Sequence, residues 1–189
     1  MQTDIMIDIE TLGMPPDAIP VTIGVAQFQL NDPGTIIEKF QIPVHAGTAQ
    51  KAGLTMDANT IMWWMEQSQA AQQTLISKEA VSITQALNKL ADYIALVREK
   101  NVKGKINIWA NDPDFDTVIL DNAFQKCKIA TPWRFWETRS CRTMIELAER
   151  LFDFNKKTDF LRMGTHHAAD DDAEYQAQLM QHIYKRMKK

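Results

Sequence analysis

The alternation of apolar and polar residues predicts β-strands at the start of the chain. In Asp4–Gly13, the side chains of Ile5, Ile7 and Ile9 share one face of a strand and Met6 lies on the other. Two more strand-like runs follow on either side of a strong turn, so we expect sequential antiparallel strands. These runs are Val21–Leu30 and Thr35–Val44.

Helical periodicity replaces this pattern after residue 56. A first helix, which Asp57 or Asn59 can cap, extends to Ser68, and a second covers Ser82–Lys100. A buried strand follows at Ile106–Ala110. Beyond it we predict a helix from Pro113 to Lys126, a short strand, a helix around Thr143–Phe152, a polar loop over Asp153–Gly164 and a closing helix from near Asp170. This order predicts an α/β fold, with a mixed five-stranded sheet and helices on both faces.

Composition limits the compartment and the number of domains. The chain has 189 residues, of which 45% are hydrophobic, and its apolar runs are too short to cross a membrane. Cys127 and Cys141 match no metal or redox spacing. We therefore expect one domain, residues 1–189, in the cytoplasm and without membrane contact.

The charge is small but unevenly distributed. The net charge of −3 argues against a protein that coats long duplex nucleic acid. Residues 1–97 hold 4 of the 21 Lys and Arg and 10 of the 24 Asp and Glu. Contact with a polyanion is therefore expected mainly in the second half of the chain.

The first candidate for chemistry is the acidic pair Asp8 and Glu10. Residues two apart in a strand point to the same face, so the two carboxylates lie side by side and repel. A hard divalent cation such as Mg²⁺ or Mn²⁺ is the simplest group to hold them together. On its own, the pair is more simply explained by a strand end that faces water.

Two later acidic elements occur at predicted helix starts. Asp116 lies in the first turns of the middle helix, and Asp170, Asp171 and Asp172 open the closing helix behind His166 and His167. Each element alone is also explained by the preference of carboxylates for helix N-termini. Their combination with the first pair is more specific than any one of them.

The combination resembles the DEDD superfamily of 3′→5′ exonucleases in its His-bearing branch, DEDDh. These motifs are Asp-x-Glu on a first strand, Asp at a middle helix and His-x4-Asp at a late helix. More closely, the chain is similar to the phage and prophage exodeoxyribonuclease VIII-like group, akin to mycobacterial 3′→5′ exoribonucleases. The likeness also covers IMWWMEQS at Ile61–Ser68, Trp109–Leu120 and PWRFWETRSCR at Pro132–Arg142, and so spans nearly the whole chain.

The resemblance implies a ribonuclease-H-like fold and two Mg²⁺ or Mn²⁺ ions per site. The implied metal ligands are Asp8, Glu10, Asp116 and Asp172. His167 is the implied general base, because an imidazole titrates near neutral pH and can take a proton from the attacking water. Two cations would relieve charge on the attacking and leaving oxygens.

The His-x4-Asp motif has two possible registers, His166 with Asp171 or His167 with Asp172. The second register places a small residue, Ala173, after the Asp and continues an apolar helical stripe, so we choose it. It departs from the family at residue 170, where the family usually has Leu and this chain has Asp.

Five further residues are predicted to contact substrate. Thr11 and Leu12 resemble the family position that grips the 3′-terminal nucleotide. An exposed Trp63 or Trp64 could stack on a base, although either Trp is equally compatible with the core. Asn111 and Phe115 complete the predicted substrate contacts.

By resemblance, the chain removes nucleotides from a free 3′ end of single-stranded DNA or RNA and releases 5′-monophosphates. The alternatives are a ribonuclease-H-type endonuclease, a small-oligonucleotide phosphodiesterase and a non-catalytic nucleic-acid-binding module. A calcium-binding domain fits less well, because the acids are not gathered in one loop. The sequence leaves open the sugar preference, the preferred metal, processivity and the oligomeric state, including a homo-oligomer.

Overall fold

The computed structural model describes residues 2–101, 104–162, 164 and 167–188. The strands are β1 (Thr3–Thr11), β2 (Pro20–Phe28), β3 (Ile36–Pro43), β4 (Ile106–Ala110) and β5 (Thr138–Ser140). The helices are α1 (Ala46–Lys51), α2 (Ala58–Glu66), α3 (Gln69–Thr74), α4 (Ile83–Lys100), α5 (Asp116–Lys126), α6 (Cys141–Phe152), α7 (Lys156–Asp159) and α8 (Ala169–Met187).

The five strands form one mixed sheet in the order β3-β2-β1-β4-β5. The first three pair antiparallel, as the hairpin pattern predicts, and β4 and β5 run parallel to β1. In this register Met6 lies beside Trp109 of β4, and Asp8 lies beside Gly24 of β2. The carboxylate end of β1 therefore meets the C-terminal end of β4, where α5 follows. The predicted α/β sheet is confirmed.

Helices cover both faces of this sheet, because β1 is apolar on both sides. Ile5 and Ile7 belong to a core that also contains Leu90 of α4 and Phe124 of α5. Met6, on the opposite side, belongs to a second core built with α6 and α8. The α8 helix therefore packs on the face of β1 that also carries Asp8.

Several predicted boundaries are wrong, mostly where elements are short. The middle helix begins at Asp116 rather than Pro113, because Asp112 and Phe115 first form a turn. The predicted polar loop over 153–164 contains α7 and a buried Phe154. The helices α1 and α3 were not predicted, since six residues are too few to display a helical period.

Over the described part of the chain, no helix combines the length and hydrophobicity that crossing a membrane requires.

Candidate active site

The four predicted carboxylates, which come from three elements, line one cavity of about 410 Å³ together with Asp112. Asp8 and Glu10 project from the end of β1, Asp116 is the first residue of α5, and Asp172 lies in the first turn of α8. Glu10, Asp116 and Asp172 are each buried. The fold thus brings together all four predicted acidic residues, although the first and last, Asp8 and Asp172, are 164 positions apart in sequence.

A glycine in β2 allows α8 to reach this cavity. Gly24 lies beside Asp8 in the sheet, and a Cβ on it would come within 2.1 Å of the Ala169 carbonyl group. Any other residue at 24 would therefore push the start of α8 off the sheet. The close approach keeps Asp172, one turn into α8, next to the β1 carboxylates.

The carboxylates are held in an environment that opposes their charge. Burial, followed by the charges of Asp172 and Asp116, raises the pKa of Glu10 to about 8. Burial raises the pKa of Asp116 to about 7. Burial, with the charges of Asp116, Glu10 and Asp172, also raises the pKa of Asp8 well above its usual range. A cation among them would reverse this penalty.

Few hydrogen bonds offset this repulsion. The Gln176 side-chain amide donates to Asp8 Oδ1 at 2.7 Å, and the backbone N–H of Ile9 donates to Asp116 Oδ1 at 3.2 Å. Gln176 lies four residues after Asp172 on α8, so a helical face carries both side chains into the cavity. This spacing could have identified Gln176 from the sequence, but it was not predicted.

His167 lines the same cavity, and two hydrogen bonds hold its backbone. Its backbone is left-handed (φ 65°), its N–H donates to Asp172 Oδ2 at 3.0 Å, and its carbonyl accepts from Thr74 Oγ1 at 2.9 Å. Its Nδ1 is 3.9 Å from Glu10 Oε1. Glu10, His167 and Asp172 each offer a ligand atom within 4.8 Å of the others, which suits a cation.

The structure separates the two possible registers of the His-x4-Asp motif. Asp172 faces the acidic cavity, whereas Asp171 Oδ1 accepts from Lys39 Nζ of β3 at 2.8 Å. His166, the partner of Asp171 in the other register, lies outside the described residues. The geometry therefore groups His167 and Asp172 with the other acids.

A second cavity, of about 570 Å³, adjoins the acidic one and shares Glu10 and Phe115 with it. Thr11 and Trp63 line it, and Trp63 is 42% exposed. The Trp64 side chain is buried, and its indole N–H donates to the Thr11 carbonyl at 2.8 Å. The two Trp therefore differ in exposure: the Trp63 ring is open to solvent, whereas the Trp64 ring is buried and hydrogen-bonded to the end of β1.

Two other predicted substrate residues occupy different surroundings. Asn111 lines the acidic cavity. Leu12, however, packs against the apolar core and lines neither cavity. The reason is a register shift between Glu10 and Thr11, which interrupts the alternation that would have placed Leu12 beside Glu10. Its carbonyl still accepts from the Asp57 backbone N–H at 2.8 Å.

Three cationic side chains also line the acidic cavity, and none of them is among the predicted site residues. Arg162 and Lys156 come from the segment that was predicted as a loop, and Arg142 comes from α6. The Arg162 guanidinium contacts the Asp172 carboxylate directly. No helical period marks Lys156 and Arg162, because α7 has only four residues and Arg162 lies beyond it, in a segment that Phe154 and Phe160 pack against α8.

Comparison with known families agrees with this geometry. The model of the family described as the 3′-5′ exoribonuclease Rv2179c-like domain matches residues 3–184. No curated protein matches the chain by sequence.

Several solved structures share the fold at 13% sequence identity. The nuclease domain of 3′hExo, a DEDDh family member bound to rAMP, aligns with a TM-score of 0.68 over 98% of this chain and 92% of its own. Cell-death related nuclease 4 (CRN-4) aligns with a TM-score of 0.70 over 98% of this chain. The E. coli exonuclease I–ssDNA complex, in its metal-free form, aligns with a TM-score of 0.57 over 99% of this chain. The alignments span 64% of the CRN-4 chain and 42% of the exonuclease I chain. At this identity, the likeness shows a ribonuclease-H-like fold.

Proposed function

The chain belongs to the Rv2179c-like 3′-5′ exoribonuclease domain family and is a 3′-5′ exonuclease, and from that premise we propose that it hydrolyses single strands one nucleotide at a time. The observation that carries the proposal is the convergence of Asp8, Glu10, Asp116 and Asp172 with His167 around one cavity. RNA is the first candidate substrate, because the family is described as exoribonucleases. The narrower resemblance to the phage exodeoxyribonuclease VIII-like group stays a prediction.

The donor set fits divalent metal ions, on which the DEDDh exonucleases depend. Carboxylate oxygens are the ligands that Mg²⁺ and Mn²⁺ prefer. Burial raises the pKa values of Glu10 and Asp116, and a bound cation would favour their charged forms. We propose that Asp8, Glu10, Asp116 and Asp172 hold two such ions. When bound, the ions would relieve charge on the attacking and leaving oxygens.

The remaining chemistry is assigned to residues of the chain. His167 takes the proton of the attacking water, and the Glu10 carboxylate 3.9 Å from its Nδ1 stabilises the imidazolium that results. Water attacks the phosphorus, and the bond to the 3′ oxygen of the preceding nucleotide breaks. That oxygen takes up a proton from solvent, so the products are a nucleoside 5′-monophosphate and a shortened strand with a 3′ hydroxyl.

The second cavity suits the 3′-terminal nucleoside. It adjoins the acidic cavity and presents the half-exposed Trp63 ring beside Phe115, and an aromatic face can stack on any base. In this arrangement the terminal phosphodiester would lie at the carboxylates. The rAMP of the 3′hExo structure and the ssDNA of the exonuclease I complex support a nucleotide or single strand as the ligand.

One cleavage experiment tests this function. A single-stranded oligonucleotide, labelled at its 5′ end and made as RNA and as DNA, is incubated with Mn²⁺ or Mg²⁺. We expect a ladder that shortens by one nucleotide at a time, disappears when the 3′ end is blocked and is absent in the Asp8→Asn variant. Internal cuts that ignore the block would indicate an endonuclease. A gel shift without cleavage would indicate a binding module.

A further inference from the structure

A buried tyrosine contacts two cations that line the acidic cavity with it. The Arg162 Cζ lies 5.0 Å and the Lys156 Nζ 5.4 Å from the centroid of the Tyr175 ring. Tyr175 is 6% exposed and packs against Phe160 at 5.6 Å between ring centroids. The ring is therefore a fixed platform, and cations over an aromatic face are attracted to it without being tied to one direction.

Arg162 lies where the proposed metal ions would bind. Its guanidinium contacts Asp172, one of the four proposed ligands, and its charge lowers the pKa of Glu10. Metal ions and Arg162 would therefore compete for the same carboxylate. Filling the site with cations would release the guanidinium from Asp172, while the Tyr175 ring would still retain it.

The charges in the cavity indicate which ligand the released Arg162 guanidinium would bind. Two divalent cations would neutralise the four proposed ligand carboxylates, and Asp112 and Arg142, which also line the cavity, pair with each other at 3.4 Å between Oδ2 and Nε. Arg162 and Lys156 would then give the loaded cavity a net positive charge. A phosphodiester brings one negative charge, and phosphoryl transfer places further charge on its oxygens. A guanidinium binds phosphate in the same bidentate geometry as carboxylate.

We propose that Arg162 alternates between two partners, Asp172 in the metal-free protein and a substrate phosphate in the loaded one. With Lys156 it forms a phosphate-binding subsite on Tyr175, in the same cavity as the carboxylates. The inference rests on the proposed function, because the phosphate belongs to the single strand that is cut.

The first test is metal affinity without nucleic acid. Arg162→Ala removes the competing cation, so calorimetric titration with Mn²⁺ should show binding on the order of tenfold tighter than wild type. Arg150→Ala is the matched control, because Arg150 is an exposed arginine paired with Glu146 on α6, and its affinity for Mn²⁺ should equal that of wild type. A purely structural role of Arg162 would instead weaken the binding of Mn²⁺.

The second test is the salt dependence of turnover at saturating Mn²⁺. In Arg162→Ala, kcat/KM on a single-stranded oligonucleotide should fall at least tenfold. The slope of log kcat/KM against log salt concentration should flatten by about 0.7, the value for one lost phosphate contact on a single strand. Lys156→Ala should flatten the slope in the same way, whereas Arg150→Ala should leave it unchanged.

Each result decides the proposal. Tighter Mn²⁺ binding together with a flatter salt slope supports it, and unchanged or weaker Mn²⁺ binding overturns the exchange of partners. An unchanged slope in both variants overturns the phosphate subsite. If Arg162→Ala does not fold, Arg162→Gln serves for the metal titration and Lys156→Ala for the slope. If wild type cleaves nothing, the proposed function fails, and binding of a 3′-blocked, 5′-labelled strand by anisotropy still measures the slope.

Discussion

Strand β1 carries carboxylates at both of its ends, and the groups around them differ. At the N-terminal end, Asp4 is 1% exposed and accepts three hydrogen bonds. The donors are the Asn107 side-chain amide at 2.8 Å, the Trp109 indole N–H at 2.9 Å and the Leu30 backbone N–H at 3.1 Å. Charged hydrogen bonds of this kind stabilise a buried carboxylate.

At the C-terminal end, Asp8 is surrounded by other acids. Gln176 donates one hydrogen bond to it, while the charges of Asp116, Glu10 and Asp172 all raise its pKa. The same strand therefore places the buried Asp4 among hydrogen-bond donors and the half-buried Asp8 among other carboxylates. A buried acid that its neighbours satisfy stabilises the fold, whereas a buried cluster that they do not satisfy is arranged for a ligand from outside.

The largest expected effect that tests this difference is loss of catalysis in Asp8→Asn. Removing one of the four carboxylates should lower metal-dependent hydrolysis at least ~10³-fold, equivalent to about 4 kcal/mol of transition-state stabilisation. The same change removes like-charge repulsion, so the melting temperature of the metal-free protein should stay equal or rise. Hydrolysis rates and thermal melts in chelator measure the two effects. Wild-type turnover would contradict the metal-ligand assignment.

The second prediction concerns Asp4, at the other end of the strand, where substitution should lower stability and leave catalysis nearly unchanged. In Asp4→Asn, the new amide N–H₂ would face N–H groups that donate to a carboxylate in the wild type. The free energy of unfolding should therefore fall by about 3 kcal/mol. For a chain of this size, that change lowers the melting temperature by roughly 6–12 °C. Turnover of the folded variant should change less than about threefold. The exposed Asp92 on α4 provides the control, since Asp92→Asn should leave the melting temperature unchanged.

The contrast also explains which features could be predicted from the sequence. The apolar alternation of β1 placed Asp8 and Glu10 on one face, and the apolar stripe of α8 selected Asp172 over Asp171. Both inferences use the spacing of apolar side chains within one strand or helix. This spacing is reliable because it determines which side of the element is buried. The sequence did not indicate the role of Asp4, because its donors Asn107 and Trp109 lie about a hundred residues away.

The other omissions arise from tertiary packing. Arg162 and Lys156 reach the cavity because Phe154 and Phe160 anchor their irregular segment on α8, beside His182. Leu12 turns away from the cavity because the register shifts next to it. Neither event follows from the period of a short segment, so sequence patterns alone place the acids but not the cations that surround them.

The smallest expected effect is a pH-dependent melting temperature that metal ions abolish. The pKa of Glu10 is about 8 and that of Asp116 about 7 in the folded protein, against roughly 4.3 and 3.9 for unfolded Glu and Asp. The folded state thus binds more protons, and the free energy of unfolding should fall as pH rises from about 4 to 8. Mn²⁺ at 100 times its Kd should increase the free energy of unfolding by about 2.7 kcal/mol.

This stabilisation by Mn²⁺ should be larger at pH 8 than at pH 5.5, because protons compete with the cations for the same oxygens. Thermal melts at both pH values, with chelator and with Mn²⁺, should show a difference of roughly 5–10 °C at pH 8 and less at pH 5.5. Asp8→Asn should reduce this difference, whereas Asp4→Asn should lower all four melting temperatures and preserve it. An equal stabilisation by Mn²⁺ at both pH values would mean that the acidic end of β1 does not hold the ions. The contrast between the two ends would then reflect folding alone.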